Sequence, residues 1–395
     1  MGSRSLLLVS ASLDAAARNA VAEGRWPRKD FFALADALGA DVIDYTAIDA
    51  SRTLRLIRRL AGAPVAQAFA AWQRRGAYDC IFSDGEHIGI PLAVLLARSH
   101  RRPRHVALAH LLTTRAKRAA FRWLRPQRGI DVLLTHASLQ HTLAGRQLGL
   151  RPSQLLLTPY QVDPRFWAPA AGQTELLIAS AGLEYRDYSV LIDAVRGLPI
   201  EAVIAAGSRW STHRHAARTA ELPANVHVTT LDYRELRDLY ARARFVVVPL
   251  HEVENQAGVT TILEAMAMGR AVIVTATRGQ RDVVRGRLCS RDGVGAEAIG
   301  GPGSFGLQGE LAAAETGLYV PAADSEALRV AIRHLLSHPE EAERMGSAGR
   351  RLVEATFSLD AFVNRVAAVL SARQGLETRQ PAARTPAAPA TPRGE

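Results

Sequence analysis

The chain has 395 residues, of which 48% are hydrophobic, and it carries a net charge of +11 in which arginine far outweighs lysine. This length allows two domains with full cores, and the composition excludes the fibrous and disordered classes. No apolar run approaches the roughly 20 residues that span a bilayer, and the amino terminus lacks a signal-peptide pattern. The two cysteines indicate neither a disulfide framework nor a thiolate metal site. We therefore expect a cytoplasmic protein.

Apolar runs of strand length alternate with helical stretches along the first half of the chain. The predicted strands are Leu6–Val9, Asp41–Ile43, Cys80–Phe82, Val106–Ala109, Val132–Thr135 and Leu155–Thr158. The predicted helices are Phe31–Leu38, Thr53–Arg74, Ile90–Arg98 and Leu139–Leu148. Alternation of this kind predicts a parallel, doubly wound sheet.

A second alternation of the same kind follows. Its predicted strands are Leu176–Ala179, Ala202–Ala206, Val226–Thr229, Phe245–Pro249, Ala271–Ala276 and Leu318–Val320. The sequence therefore predicts an α/β protein with two Rossmann-like halves, and a ligand between them off the carboxyl ends of the strands. Residues 374–395 lack core-forming side chains, and we expect a disordered tail there.

The most informative segment is Phe245–Val284, which reads as strand, helix and strand. Gly258 leads into the helix, with Thr260 or Thr261 in its first turn, and unpaired N–H groups at such a helix start favour a phosphate. Glu264 lies within the first two turns. It either accepts hydrogen bonds from a ribose diol or is a solvated helix residue, and spacing alone leaves both readings open.

This segment resembles the donor-site motif of family 4 glycosyltransferases, which are retaining enzymes of the GT-B fold. The matching residues are Pro249, Glu264-Ala265-Met266-Ala267, Gly269, Val272-Ile273, Thr275, Gly279 and Asp282. The resemblance implies that Glu264 binds the donor ribose. Gln256 stands where the family has a Glu that contacts the transferred sugar. An amide still bonds sugar hydroxyls, but it adds no negative charge to a developing oxocarbenium ion.

The resemblance covers roughly residues 80–370 and implies the domain organisation. Residues 1–165 are expected to form an acceptor domain and residues 166–355 a nucleotide-sugar donor domain, joined by a connector that begins at Pro159. A helix within residues 356–373 is expected to cross back to the first domain. A Gly-rich insertion at 286–316 departs from the family pattern, and we expect a mobile surface loop there, with a functional lid as the alternative.

The turn after the second domain's first strand resembles the family's phosphate-binding loop. Arg186 occupies its Lys position, while Leu183 replaces its Arg. Arg186 either holds the diphosphate or pairs on the surface with Glu184 or Asp187. Three further arginines are candidates for a second cation: Arg209, Arg278 and Arg281. The complete predicted donor-binding set is Gly182, Arg186, Gly207, Ser208, Asp232, Tyr233, Gln256, Ala257, Gly258, Val259, Thr260, Thr261 and Glu264.

His110 closes a first-domain strand that resembles the family strand ending in an active-site His. Its ring is expected to bond the sugar, or else the main chain. With Gln256 and Arg186 it makes up the predicted catalytic set. Three residues after the preceding strand are expected either to shape the acceptor side or to cap the next helix: Asp84, Glu86 and His87. No metal site and no cofactor other than the nucleotide sugar is expected, because the histidines are scattered.

These inferences predict a retaining hexosyltransferase that uses a UDP- or GDP-linked sugar and an acceptor hydroxyl on a lipid-linked molecule or a small glycoside. The alternative is a catalytically impaired GT-B protein that binds nucleotide sugars as a regulator. Residues 114–128 interleave basic and apolar side chains, which indicates either peripheral contact with an anionic membrane on its inner face or an ordinary solvent-facing helix. Nucleic acid binding is not expected, since no module pattern accompanies the charge.

Overall fold

The computed structural model describes residues 4–13, 15–170, 172, 174–206 and 222–372. They form two α/β domains, each built on its own sheet, and the predicted fold class is confirmed. Within this part of the chain, no helix combines the length and apolarity needed to cross a bilayer.

The first sheet has six parallel strands in the order β2-β1-β3-β4-β5-β6. They are β1 (Ser5–Leu8), β2 (Asp41–Ile43), β3 (Cys80–Ser83), β4 (Arg104–Ala109), β5 (Val132–Thr135) and β6 (Leu155–Leu157). The helices are α1 (Ala15–Ala22), α2 (Asp30–Leu38), α3 (Tyr45–Asp49), α4 (Arg52–Ala61), α5 (Ala63–Arg74), α6 (Glu86–Leu96), α7 (Arg115–Trp123) and α8 (Ser138–Gln147). Alternate strand residues point to one core on one face of the sheet and to two on the other, so both faces are covered.

The single helix predicted over Thr53–Arg74 is wrong, because the structure has two helices there. Gly62 ends α4 with a φ of 90°, and Pro64 follows in the first turn of α5. A positive φ is open to glycine, and proline is tolerated in a first turn where its missing N–H has no partner to lose. The break turns α5 to pack against α4 and α6.

The second sheet has eight strands in the order β13-β12-β14-β11-β10-β7-β8-β9. They are β7 (Leu177–Ala181), β8 (Glu201–Ala205), β9 (Val226–Thr229), β10 (Phe245–Val248), β11 (Ala271–Thr275), β12 (Arg285–Ser290), β13 (Gly293–Gly300) and β14 (Gly317–Val320). The helices are α9 (Tyr188–Val195), α10 (Tyr233–Arg242), α11 (Val259–Ala267), α12 (Glu310–Ala313), α13 (Ser325–Ser337), α14 (Pro339–Leu352) and α15 (Leu359–Ser371). The strand order reverses between β7 and β10, which is where ligands bind in such sheets.

The insertion at 286–316 is not an irregular loop, so that prediction is wrong. Its first part forms the β12–β13 hairpin, and β12 runs parallel to β14 as an extension of the sheet. Gly286 lies against the carbonyl of Gly317, where an added Cβ would collide. Cys289 is buried in the core on one face. Glycine and alanine have low strand propensity, and the composition therefore concealed these strands.

The last helix leaves the second domain and packs on the first sheet. Leu359, Phe362, Val366 and Leu370 of α15 join the same core as β1, β3 and β4, beside α2. The chain passes between the domains twice, near Val162 and again at 357–359. These two segments are joined by backbone hydrogen bonds of 2.8 and 2.9 Å.

Candidate active site

A cleft of about 740 Å³ lies between the two domains. The second domain contributes the residues directly after β7 and the first residues of α11, which follows β10. These two segments flank the point where the strand order reverses. The first domain contributes residues that follow α1 and residues beyond the carboxyl ends of β4, β5 and β6. Those from the first domain are Arg25, Trp26, His110, His136, Ala137 and Tyr160. The cleft is therefore placed where both sheets present the carboxyl ends of their strands.

Arg186 is a buried cation on the wall of this cleft, with only 8% of its surface exposed. Its Nε donates to the Ala181 carbonyl at 2.9 Å, Nη1 to the Glu184 carbonyl at 2.9 Å and Nη2 to Thr261 Oγ1 at 3.0 Å. All three acceptors are uncharged, and no carboxylate of the described chain forms an ion pair with it. Burial lowers the pKa of Arg186 from its ordinary value. A buried guanidinium with two N–H donors left over is suited to an anion from outside the protein.

Two glycines hold the space around this guanidinium. Gly182 has a φ of 99° and lies against the Arg186 fork. Gly258 has a φ of 79°, and an added Cβ would lie 2.8 Å from Val248 Cγ1 and 3.4 Å from Arg186 Nη1. Both positions therefore need glycine for conformation and for space. Arg186 lies beside the start of α11, where the first N–H groups have no intrahelical acceptor.

Glu264 lies on α11 with 7% of its surface exposed, and it lines the cleft. Burial raises its pKa to about 8, since removal from water disfavours the carboxylate. The Tyr240 hydroxyl donates a weak bond to its Oε2 at 3.5 Å. The reading of Glu264 as a solvated surface residue does not hold. A buried carboxyl on the wall of the cleft is suited to accept hydroxyl donors there.

Gln256 also lines the cleft, at the loop before α11. Its Nε2 donates to Asp282 Oδ2 at 3.3 Å, and the same oxygen accepts from the backbone N–H of Ser138 at 2.9 Å. The Gln256 Oε1 is buried without a partner in the described part of the chain. Asp282 thus links the second domain to the start of α8 and holds the Gln256 side chain, which keeps one acceptor for a ligand hydroxyl.

His110 brings a ring to the cleft next to His136 and Tyr160. The ring centroids of His110 and His136 lie 5.6 Å apart, and those of His136 and Tyr160 lie 4.6 Å apart. The His110 ring makes no hydrogen bond within the described residues. Its backbone N–H donates to Glu86 at 3.0 Å. His110 is therefore placed by its main chain, and its ring is left to face the cleft.

His136 was not among the predicted residues. It is buried one residue past β5, and its Nδ1 donates to the Thr158 carbonyl at 3.0 Å. This fixes Nε2 as an acceptor, and that atom is buried without a partner in the described chain. Burial lowers the pKa of His136 to about 3, so the ring is neutral. Its place at a strand's carboxyl end was the signal in the sequence that pointed to it.

The remaining residues predicted to bind the donor fall into three groups. Ala257, Val259, Thr260 and Thr261 line the cleft around the start of α11. Gly207 and Ser208, together with Arg209, lie outside the described residues.

Asp232 and Tyr233 also line the cleft, and the structure gives them further contacts. The Asp232 carboxylate caps α10 by accepting from the N–H groups of Arg234 and Glu235. Tyr233 contacts the first domain, because its hydroxyl accepts from Lys29 Nζ at 3.1 Å and its ring packs on Trp26. Both capping bonds use Oδ1 of Asp232, while Tyr233 and Trp26 form an aromatic wall across the cleft.

The alternative arginines have other roles. Arg278 is exposed and pairs with Glu254 at 2.9 Å. Arg281 donates to the carbonyls of Ala276 and Thr277, and its guanidinium lies 5.5 Å over the Tyr319 ring. Of the predicted cations inside the described residues, Arg186 is the one that lines the cleft.

The three residues predicted for the acceptor side separate into two sites. Asp84 accepts from Ser10 N–H at 2.8 Å and Ser10 Oγ at 2.7 Å, and that Oγ lies 2.7 Å from His87 Nε2. This cluster lies where the first sheet's strand order reverses, between β1 and β3. Glu86 is instead buried and paired with Lys117 at 2.6 Å. Burial raises the pKa of Glu86, but the hydrogen bonds from Lys117 and from the His110 N–H lower it by more, so this pKa lies below its ordinary value.

The second domain matches a known family. Residues 175–338 match the family model of glycosyl transferases group 1. The MMP α-(1→4)-mannosyltransferase of Mycolicibacterium hassiacum is 26% identical over 344 residues, which are 80% of this chain and 73% of that protein. The chain is a glycosyltransferase.

Solved structures with the same architecture identify the fold of this glycosyltransferase as GT-B. The sucrose-phosphate synthase of Thermosynechococcus elongatus superposes with a TM-score of 0.64 at 18% identity, covering 93% of this chain and 98% of the other. The Anabaena protein HepE in complex with UDP and glucose superposes with a TM-score of 0.62 at 13% identity, covering 94% and 100%. These structures confirm the fold, whereas the family model and the mannosyltransferase relative confirm the predicted enzyme class.

Proposed function

We propose that this glycosyltransferase is a family 4, retaining enzyme that moves a hexose from a UDP- or GDP-linked donor to an acceptor hydroxyl. The observation that carries the proposal is the buried Arg186 guanidinium, which has no anionic partner in the described chain and lies beside the start of α11. A diphosphate is the anion that a nucleotide sugar brings to this position. Its binding there uses the free guanidinium donors and the helix dipole together.

The donor would extend from this point in two directions. On one side, Glu264 would accept hydrogen bonds from the ribose diol. On the other, Gln256 Oε1, the His110 ring and His136 Nε2 would bond hydroxyls of the transferred hexose. A hexose is supported by two relatives, one named as a mannosyltransferase and one solved with UDP and glucose.

The reaction we propose needs charge stabilisation and positioning rather than a metal ion. The bond between the sugar's anomeric carbon and the diphosphate oxygen breaks, and the acceptor oxygen bonds that carbon on the same face. The acceptor's proton passes to the departing diphosphate oxygen. Arg186 and the amides of Thr260 and Thr261 stabilise the negative charge that develops on the leaving group.

A donor screen with product analysis tests this proposal. UDP-glucose, GDP-mannose, and ADP and TDP sugars are offered to the purified chain, and binding is measured by calorimetry and release of the nucleoside diphosphate by a coupled assay. We expect one UDP- or GDP-hexose to bind and turn over with an α-linked product from an α-linked donor. Inversion at the anomeric carbon, seen by NMR, would contradict retention.

The second candidate is a nucleotide-sugar binding protein with impaired transfer. It is favoured by Gln256, whose amide bonds Asp282 and carries no negative charge, and by Leu183 at a position where the family has arginine. Binding of a donor with neither transfer nor donor hydrolysis across acceptors would support it. Transfer by the wild-type chain would reject it.

Peripheral membrane contact remains a proposal for α7 and the turn after it, and it would place the enzyme on the inner face of a membrane with a lipid-linked acceptor. Trp123 is 74% exposed and Leu124 is 49% exposed beside exposed arginines. Lys117, in contrast, points inward to Glu86. Co-sedimentation with anionic vesicles at low salt should be lost with neutral vesicles and weakened by Trp123→Ala. Leu288→Ala, which removes an exposed apolar side chain on the second domain, is the matched control.

A further inference from the structure

A cluster of metal-ligating side chains lies away from the cleft, at the corner between α13 and α14. His334 is in the last turn of α13, His338 joins the two helices, and Glu341 is in the first turn of α14. Each of these three residues offers one ligand atom, and the three atoms all lie within 4.8 Å of one another. Since α13 starts after the carboxyl end of β14, its far end lies at the opposite edge of the sheet from the cleft.

The surroundings orient each of these side chains. His338 Nδ1 donates to the His334 carbonyl at 2.9 Å, which leaves Nε2 of His338 with its lone pair. The two rings stack with centroids 4.4 Å apart. His334 Nε2 lies 3.0 Å from Glu341 Oε2, while the other oxygen of Glu341 accepts from Arg287 of β12. Contacts of this kind, from a carbonyl to the ring and from a cation to the carboxylate, are what holds metal ligands in place.

We propose that His334, His338 and Glu341 bind one divalent transition-metal ion of the zinc class. Two imidazoles and a carboxylate are a ligand set that zinc takes, with a fourth position for water. Bond lengths of 2.0–2.1 Å imply ligand atoms about 3.3 Å apart in a tetrahedral site, so side-chain rotations that shorten the separations by up to about 1.5 Å close the set. The ion replaces the bond between His334 and Glu341 and releases any proton that they share.

The charge around the site is compatible with a cation. Glu315, Glu340 and Glu343 line the same surface cavity with Glu341, against three arginines: Arg287, Arg344 and Arg351. Arg287 also donates to Glu315 at 3.0 Å, so it is held by two carboxylates. Glu341 would hold the ion with one oxygen and Arg287 of β12 with the other, so the ion would order the carboxylate to which the inserted hairpin is bonded. Its role would be to fix the hairpin, independently of sugar transfer.

The test is metal binding by the full chain after removal of any histidine tag. Zn²⁺ is titrated by calorimetry, and Co²⁺ is added separately, since its visible absorption reports tetrahedral coordination. We expect one equivalent of Zn²⁺ to bind and to raise the melting temperature. His338→Ala should weaken binding at least about tenfold, and Glu341→Gln should do the same while keeping the side-chain volume. Circular dichroism checks that both variants fold.

The matched control is His227→Ala, which removes an exposed histidine that pairs with Glu201 at 2.7 Å but has no third ligand in the described chain. Its zinc affinity should equal that of the wild type. Failure of the wild-type chain to bind an equivalent of Zn²⁺, or equal binding by wild type and His338→Ala, would overturn the proposal. In either case the cluster would be a hydrogen-bonded pair of His334 and Glu341 only.

Discussion

The raised pKa of Glu264 gives the donor site a defined dependence on pH. If the ribose hydroxyls donate to Glu264, they bind its ionised form, whereas burial holds the free side chain protonated up to about pH 8. About 3% of the side chain is ionised at pH 6.5 and about 75% at pH 8.5. The affinity for a nucleotide sugar should therefore rise about 25-fold over this range, which is ~2 kcal/mol.

Calorimetry with UDP-glucose and GDP-mannose measures this effect. Intact nucleotide sugars are used because their diphosphate carries no proton that titrates in the range. Titrations at pH 7 in buffers of different ionisation enthalpy should show release of close to one proton per bound donor. Glu264→Gln is the control, since it keeps the size of the side chain and should bind with a flat pH profile. A flat profile for the wild type, or the same slope in Glu264→Gln, would refute the assignment of Glu264 to the ribose.

Three further results are expected. Arg186→Gln should weaken donor binding about tenfold to a hundredfold by calorimetry, because a charge-assisted hydrogen bond contributes ~1.5–3 kcal/mol. Gly258→Ala should lower the free energy of unfolding in urea by ~1–3 kcal/mol, since its φ of 79° is strained for alanine and its Cβ meets Val248. Burial lowers the pKa of His105 to about 4 and that of His136 to about 3. The free energy of unfolding should therefore be highest above pH 6.5 and fall as the pH drops towards these values, by about 2 kcal/mol per histidine at pH 5.

Each of these results has a matched control. Arg278→Gln removes an exposed, paired arginine and should leave donor affinity unchanged; an equal loss in both variants would show that Arg186 acts only through net charge. Gly24→Ala has a similar φ of 62° with open space around it, and a loss as large as that of Gly258→Ala would rule out the clash with Val248. The urea transition of His136→Gln should depend less on acid than that of the wild type, and unchanged acid dependence would contradict a neutral buried ring.

The sequence predicted the parts of the fold that depend on local pattern. The strand β11 was predicted within one residue, because a continuous β-branched run is what a strand buried on both faces requires. The β12–β13 hairpin was missed, since its glycines and alanines have low strand propensity and the pairing with β14 is a tertiary contact. The break at Gly62 was also missed, although Pro64 marked it.

The candidate site shows the same division. Arg186 and Glu264 were predicted because their positions match a motif, and their burial adds a physical reason for the roles we propose. His136 has one signal in the sequence, its place directly after a predicted strand. Trp26 reaches the cleft only where the two domains meet, and no spacing in the sequence contains that information. Similarly, the sequence offers Glu86 as an acceptor-side residue or a helix cap, but its pairing with Lys117 from another helix is a tertiary contact that no local pattern contains.

The position of α15 has a consequence for how the chain folds during synthesis. Leu359, Phe362, Val366 and Leu370 cover the face of the first sheet next to α2, yet they are among the last described residues to leave the ribosome. The first domain therefore emerges with part of its core uncovered and completes it only after the whole second domain has been made. A fragment that ends at the connector lacks this cover, so the amino-terminal domain is expected to be aggregation-prone when expressed alone.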